Sequence, residues 1–108
     1  MTRIAVTEAE SAVLAALWRL GPLSAASLID EVKRGHPWGD ATIKTLLHRL
    51  MGKGAVKSVK ADGRQLYHPM IDRQVWLDDE IGLLVDRLFD GDYAALAAHL
   101  ASRRADAP

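Results

Sequence analysis

The chain contains no cysteine in its 108 residues, which excludes disulfide bonds and thiolate metal or redox sites. It has no run of about 18 apolar residues, so no membrane-spanning helix and no membrane partner are predicted. The first ten residues lack the uninterrupted apolar stretch of a signal peptide and turn acidic early. We therefore expect a cytoplasmic protein.

Recognisable catalytic arrangements are also missing. No glycine-rich phosphate loop follows a predicted strand, and no serine nucleophile lies in a known catalytic motif. The acidic run Asp78-Asp79-Glu80 is typical of a solvated helix face. No metal site is expected, because the four histidines are not spaced as helical pairs or near a ligand cluster: His36, His48, His68 and His99. We predict a protein that is not an enzyme and has no cofactor.

The net charge is zero, but the charges are distributed unevenly. Residues 1–32 contain two basic and four acidic side chains, residues 33–64 eight and two, and residues 65–108 four and eight. The middle third therefore carries +6 between flanks of −2 and −4. A basic segment of this kind is typical of a surface that meets nucleic-acid phosphates. The alternative is an ordinary solvated surface, where charge runs also occur.

Three amphipathic helices are predicted in the N-terminal half, and together they can close a small core. Thr7-Glu8-Ala9-Glu10 has the capping-box pattern of a helix start, and Gly21 is the expected stop. Ser24 and Asp40 are the expected N-caps of the second and third helices. The third helix turns four aliphatic side chains inward: Ile43, Leu46, Leu47 and Leu50.

A hairpin and two further helices follow. Asp62-Gly63 is a strong turn signal, and the hairpin is expected to end at Pro69. The fourth helix is predicted from about Asp72 to Phe89, and Asp92 is the expected cap of a fifth helix that gives way to an irregular tail at Ser102.

Three helices followed by a hairpin is the element order of a winged helix. We therefore predict a mainly α fold with a small β-hairpin, in two parts. A winged helix-turn-helix that binds DNA would occupy residues 1–70, and C-terminal dimerisation helices would occupy residues 71–108.

The outer face of the third helix and the hairpin carry side chains suited to DNA. Threonine methyl and hydroxyl groups can approach base edges, Arg49 can read guanine or hold a phosphate, and Lys44 suits a backbone contact. Trp38 is either a core residue or a backbone contact through its ring N–H. For the rest, the alternative is a solvated surface. The candidate DNA-binding residues are Trp38, Thr42, Lys44, Thr45, His48, Arg49, Lys57, Lys60 and Arg64.

The fourth helix has a wide apolar stripe, which needs a partner because the three-helix core is already closed. The stripe either folds back on its own domain or forms a homodimer interface, and a two-fold dimer matches palindromic DNA. The candidate dimerisation residues are Leu77, Ile81, Leu84, Val85, Leu88, Phe89, Tyr93, Leu96 and Leu100.

Several motifs occur together along residues 4 to about 100: Thr7–Glu10, Leu17-Trp18, Trp38, Thr42–Leu50, Lys53-Gly54, Asp62–Arg64 and Tyr67–Pro69. In combination they resemble the BlaI/MecI/CopY penicillinase-repressor family of winged-helix transcriptional regulators. The resemblance implies a homodimeric repressor that binds inverted repeats in promoters, with residues 72–100 as the dimerisation region. It also implies recognition-helix roles for Thr42, Lys44, Thr45 and Arg49, and backbone or wing contacts for Trp38 and Arg64.

The chain departs from these relatives in three ways. Copper-responsive members carry a cysteine cluster near the C-terminus, which this chain lacks, so copper sensing is not expected. Antibiotic-responsive members are cleaved by a regulatory protease at an Asn-Phe bond, whereas the comparable stretch here is Ala98–Ala101, so cleavage at such a bond is not expected. The chain also ends where those relatives continue into another helix, and a smaller dimer interface is expected.

Two other function classes stay open. The first is a winged-helix module whose helix face meets another protein. The second is a ligand-gated regulator that holds an effector between its helices. The basic segment and the small hydroxyl side chains favour DNA over both.

Overall fold

The computed structural model of the protein describes residues 4–105. The chain divides between Ile71 and Asp72 into two compact units. The first unit contains α1 (Glu8–Leu20), α2 (Ala25–Gly35), α3 (Asp40–Gly52), β1 (Val56–Ala61) and β2 (Arg64–Pro69), and the second contains α4 (Arg73–Phe89) and α5 (Tyr93–Ala105). The predicted element order, mainly α with one hairpin, is therefore confirmed.

The first two helices begin at the predicted caps. The Thr7 hydroxyl accepts the backbone N–H of Glu10 at 3.1 Å, and the Glu10 carboxylate accepts the N–H of Thr7 at 3.0 Å, which completes the capping box. The Ser24 hydroxyl oxygen accepts the N–H of Ser27 at 3.2 Å at the start of α2. Side-chain acceptors thus satisfy backbone donors that a helix start leaves without partners.

The predicted cap of α3 was wrong by one residue. The N-cap is Gly39, which makes no side-chain cap bond, and Asp40 is the first residue of the helix. The Asp40 carboxylate instead pairs with the Lys33 ammonium from the last turn of α2. A carboxylate in the first turn still interacts favourably with the positive end of the helix dipole.

The core of the first unit lies between its three helices and the start of β1. Leu14, Leu28, Ile43 and Leu50 are fully buried there, and Val56 brings the hairpin onto the same cluster. Burial of each such aliphatic side chain contributes about 1.5–3 kcal/mol to folding. The four inward positions predicted for α3 are all buried, so the orientation of this helix is confirmed.

The hairpin turns at Asp62 and Gly63, which both adopt positive φ, at 52° and 75°. This is the backbone that a two-residue type I′ turn requires. The chain between α1 and α2 also joins the sheet, because Leu23 and Tyr67 exchange backbone hydrogen bonds of 3.3 and 2.8 Å. The half-buried Tyr67 packs against the core. The hairpin is thus attached to the helices through its second strand as well as through Val56.

The second unit is a pair of helices, each of which begins at an aspartate cap. Asp72 accepts from Gln74 N–H at 3.3 Å to start α4, and Asp92 accepts from Ala95 N–H at 3.2 Å to start α5. The predicted irregular tail from Ser102 was wrong, since α5 continues to Ala105. Two arginines in its last turn, Arg103 and Arg104, suit the negative end of the helix dipole. The rest of that predicted tail, residues 106–108, lies outside the described residues.

Among residues 4–105, no helix combines the length and the apolar character needed to cross a membrane.

Candidate nucleic-acid interface

The outer face of α3 is defined by the burial of its inner face. At 100° per residue, the line opposite the four buried aliphatic side chains passes through Ala41, Thr45 and His48, which are all exposed. Lys44 lies about 70° to one side of this line, and Thr42 and Arg49 lie about 70–90° to the other. The middle of the face is therefore occupied by small side chains and one histidine, with the longer cationic side chains at its edges.

The hydroxyl of Thr45 is already engaged within the helix. It donates to the backbone carbonyl of Ala41 at 2.9 Å, one turn earlier. In this rotamer the Thr45 oxygen retains acceptor capacity and its methyl group completes the small-residue surface. The sequence-based expectation of a close approach at Thr45 thus rests on its methyl and acceptor groups, while Thr42 keeps an exposed hydroxyl nearby.

The start of α3 combines backbone donors with one acidic side chain. Gly39 provides no side chain to cap the first N–H groups, and such donors attract anions. A hydrogen bond from Lys33, reinforced by the charges of Lys33 and Lys44, holds the pKa of the Asp40 carboxyl below its usual value. Lys33 therefore offsets a negative charge that would otherwise repel phosphate at this end of the helix.

The eight cations of residues 33–64 fall into two groups. Three are committed to carboxylates: Lys33 to Asp40, Arg34 to Glu31 at 3.6 Å, and Lys53 to Glu10. The other five are exposed, and none has a carboxylate within 4.0 Å in the part of the chain that the structure describes: Lys44, Arg49, Lys57, Lys60 and Arg64. These are the five cations that the sequence singles out, and all of them lie on α3 or the hairpin.

The two faces of the hairpin carry different cations. Val56 is buried against the core and therefore marks the inner face of the hairpin. Lys57 is the next residue along β1, and the register pairs Ala61, four residues after Lys57, with Arg64. Because side chains alternate along a strand, Lys57 and Arg64 share the face opposite Val56, while Lys60 lies on the other face. The sequence groups these three cations together, and only the strand register separates them.

The sequence leaves open whether Trp38 is a core residue or a DNA-backbone contact, and its surroundings are compatible with both roles. It is half-buried and packs against the core, yet part of its ring stays exposed one residue before the N-cap of α3. The ring of His36 stacks on it, with centroids 4.3 Å apart and planes inclined by 11°. The sequence reasoning missed this stack, although the two residues flank a proline that favours extended backbone.

An ion pair between a buried carboxylate and a partly exposed lysine fixes the end of α3. Glu10 is 1 % exposed, and its carboxylate accepts from the Lys53 ammonium, which also donates to the carbonyl of Ala5 at 2.8 Å. Burial raises the pKa of the Glu10 carboxyl, but hydrogen bonds from Lys53 and from the Thr7 backbone, together with the Lys53 charge, outweigh it and leave the pKa below its usual value. Lys53 is therefore a structural cation within the basic segment.

The predicted dimerisation residues differ widely in exposure. Leu88 is 59 % exposed, and Ile81, Leu84, Tyr93 and Leu100 are also exposed. Leu77, Phe89 and Leu96 are half-buried. Phe89 also lies near the ring of His99 in α5, with a centroid separation of 6.1 Å.

Val85, by contrast, is fully buried within the chain, so its side chain is not presented to a second molecule. It lies about 60° from Gly82 around α4. A Cβ added at Gly82 would stand 3.3 Å from the Tyr93 hydroxyl oxygen, so this side of α4 faces α5. Val85 therefore belongs to the packing of the helix pair, unlike the exposed stripe of Ile81, Leu84 and Leu88.

Residues 4–105 contain no group of three or more histidine, aspartate or glutamate side chains arranged to hold a metal ion.

Residues 6–107 match the sequence model of a family described as Penicillinase repressor. Among individual relatives, the penicillinase repressor of Bacillus licheniformis is 27 % identical over 86 residues, which are 80 % of this chain and 67 % of that protein. An uncharacterised 16.5 kDa protein in the ptsI 3′ region of Latilactobacillus sakei is 40 % identical over 60 residues, 56 % of this chain and 40 % of that protein. This chain thus aligns with only part of each relative.

Two solved structures share the fold at 31 % sequence identity, and each alignment covers 68 % of this chain. The first is the solution structure of the DNA-binding domain of the repressor BlaI, with a TM-score of 0.59 and 90 % of that domain covered. The second is monomeric Bacillus licheniformis BlaI in complex with the blaP half-operator, with a TM-score of 0.62 and 92 % coverage. Their likeness to this chain confirms the predicted winged-helix fold.

Proposed function

Because the chain belongs to the penicillinase repressor family, we propose that it is a homodimeric transcriptional repressor that binds an inverted-repeat operator in a promoter. The observation that carries this proposal is the set of five exposed cations on α3 and the hairpin, none of which is paired with a carboxylate in the described chain. Neutralisation of DNA phosphates by such side chains supplies most of the non-specific affinity of DNA-binding proteins. The BlaI structure in complex with a half-operator supports the same choice of partner.

In this proposal α3 is the recognition helix. Ala41 and Thr45 let the helix approach base edges closely, and His48 is placed on the same line to donate or accept a hydrogen bond. Arg49 is the residue we assign to base reading, since its guanidinium suits the O6 and N7 atoms of guanine. Thr42 lies on the same edge of the helix as Arg49.

The backbone contacts come from the two sides of α3. Lys44 supplies a point charge beside the helix start, where Trp38 adds a ring N–H. The wing, defined as the hairpin Val56–Pro69, supplies Lys57, Lys60 and Arg64. Contacts of this kind set the position of the protein on DNA without reading sequence.

The second unit is the proposed dimerisation region. The exposed stripe of Ile81, Leu84 and Leu88, continued by Leu77 at its half-buried end, would be covered by the same stripe of a second copy. The apolar surface continues through Phe89 at the end of α4 and onto α5, where it includes Tyr93, Leu96 and Leu100. A two-fold axis through this contact would present two recognition helices to half-sites one helical turn, or a multiple of it, apart. A repressor of this kind acts in the cytoplasm and needs no catalytic step.

Selection of bound duplexes from a random pool tests the proposal. We expect the selected sequences to converge on an inverted repeat, which would establish the operator and the dimer symmetry together. Binding to a duplex of one arbitrary sequence without an operator should also weaken steeply as the salt concentration is raised. If the wild-type protein binds no DNA at any salt concentration, the proposal fails and the protein-interaction module becomes the better interpretation.

A further inference from the structure

His36 and Trp38 form a stacked pair of rings immediately before the recognition helix. Their centroids are 4.3 Å apart and their planes are inclined by only 11°. Both side chains are half-buried. Trp38 also packs against the core of the first unit. The indole is therefore held by the core and by the imidazole, which restricts its rotation more than either contact alone.

The local backbone explains how the two rings meet. α2 ends at Gly35, and His36 adopts an extended conformation with φ −143° and ψ 142°, as favoured for a residue before proline. In extended backbone, residues two apart point to the same side. Pro37 therefore separates two side chains that stand next to each other.

The indole N–H is available to a ligand. Within residues 4–105, Trp38 Nε1 donates to no protein acceptor, and it is not among the buried side-chain atoms that lack a hydrogen-bond partner, so it is reached by solvent. A tryptophan ring nitrogen can only donate a hydrogen bond. Gly39, the next residue, leaves the first backbone N–H groups of α3 without a side-chain cap. A solvent-accessible ring donor thus lies beside a helix start that also favours anions.

We propose that His36 is a positioning residue for DNA binding: its ring holds the Trp38 indole so that Nε1–H donates to a backbone phosphate at the start of the recognition helix. The inference rests on the proposed DNA-binding function and adds a residue to it. The contribution of His36 comes from its flat ring rather than from a charge. Arg19 and Arg34 line the groove beside it, and both are paired with Glu31.

Replacement of the ring separates this role from other roles of a histidine. His36→Ala removes the stack, whereas His36→Phe keeps a flat ring without an imidazole nitrogen. We expect His36→Ala to lower the affinity for a fluorescein-labelled duplex of fixed random sequence by about three- to tenfold, the range expected for loss of one aromatic pair. His36→Phe should retain most of the affinity, and His99→Ala, the matched control in α5, should bind like wild type.

A double-mutant cycle tests whether His36 acts through Trp38. In a Trp38→Leu background, His36→Ala should cause no further loss of affinity, because the ring that it positions is absent. Thermal unfolding of each variant shows how much protein is folded under the binding conditions. Independent losses from the two substitutions would overturn the proposal.

The nitrogen–proton NMR spectrum of the full chain gives a direct readout. The Trp38 indole N–H resonance is identified by its absence from Trp38→Leu, and it should shift when the duplex is added to wild type but much less in His36→Ala. If wild type binds DNA and this resonance does not move, the inference is wrong while the proposed function stands. If wild type binds no duplex, both are wrong. In the DNA-free protein, His36→Ala should itself move the resonance, since a stacked ring shifts nearby protons, and no movement would contradict the stack.

Discussion

The ammonium group of Lys53, at the end of α3, donates to the buried carboxylate of Glu10 near the start of α1. The same ammonium donates to the carbonyl of Ala5 at 2.8 Å. One lysine thus connects the end of α3 to the N-terminal segment and to the capping box of α1. The position of α3 is fixed by this connection as well as by its apolar face.

Loss of the ammonium should destabilise the first unit. Lys53→Met leaves the Glu10 carboxylate buried without its cation, and we expect a loss of about 2–4 kcal/mol of unfolding free energy. This is less than the roughly 3–5 kcal/mol expected for a fully buried pair, since the Lys53 side chain is 34 % exposed. Urea unfolding at neutral pH measures the change. The matched control is Lys60→Met on the wing, which should change stability by about 0.5 kcal/mol or less, and equal effects of the two substitutions would contradict the structural role.

The Glu10–Lys53 ion pair also predicts how the free energy of unfolding changes at acidic pH. The pKa of Glu10 is lower in the folded chain than in the unfolded chain, so its contribution to stability is fully present above the ordinary pKa of a glutamate carboxyl. The contribution is lost as the pH falls through the lower folded value. In Glu10→Gln, unfolding free energy should therefore fall less steeply over that acidic range than in wild type. An acid limb as steep in Glu10→Gln as in wild type would contradict this contribution of the ion pair.

The sequence predicts the elements well because each is specified locally. Thr7 and Glu10 satisfy each other across one helical turn, and Asp62-Gly63 supplies the positive φ angles of the hairpin turn. Asp40 was wrongly predicted to be a cap because its main partner is not local in the sequence. Its carboxylate responds to Lys33, a residue of another helix, and a pattern read along one helix does not include that charge.

The site was harder to predict where side chains meet across elements. In the sequence, Lys53 is one of eight cations in the basic segment. Its ion pair with Glu10 joins residues 43 positions apart and is visible only in the folded structure. Lys57 and Lys60 look equivalent in the sequence, but the strand register separates them onto two faces. Val85 fits the apolar stripe of α4 by composition, whereas its place near Gly82 buries it in the helix pair.

Base reading by Arg49 predicts a sequence-dependent loss. Arg49→Ala should weaken binding to the selected operator by about 1–3 kcal/mol and reduce the preference for it over random duplex. Lys44→Ala should instead weaken binding to both duplexes alike, because a phosphate contact carries no sequence information. Fluorescence anisotropy with both duplexes measures the two effects. Unchanged operator affinity in Arg49→Ala would remove this residue from the base-reading set.

The wing cations predict a change in salt dependence. Lys57→Gln should lower the affinity for all duplexes and reduce the slope of log affinity against log salt by about 0.9, the value for one phosphate contact. Arg64→Gln should behave similarly, since both residues lie on the same face of the hairpin. Arg103→Gln, which removes one exposed positive charge from α5, is the control and should leave the slope unchanged. A slope that does not respond to either wing substitution would place the wing away from the DNA.

The proposed dimer interface predicts a face-specific effect on assembly. Leu88→Glu places a charge in the exposed stripe of each protomer, and we expect a loss of about 3 kcal/mol or more in dimer stability. Leu83→Glu makes the same substitution on the same helix, about 100° away from Leu84, at a site that is also exposed. Sedimentation equilibrium should find Leu88→Glu dissociated at concentrations where Leu83→Glu is dimeric. The opposite result would move the interface to the other side of α4.

The backbone bridge between Leu23 and Tyr67 affects the thermodynamics of binding. Because β2 is held by the chain between α1 and α2, and Val56 anchors β1 in the core, the wing is ordered when the first unit folds. Its conformational entropy is then lost during folding rather than during complex formation. A preordered wing loses little further freedom on meeting a ligand, so weak individual contacts along it can still add to affinity.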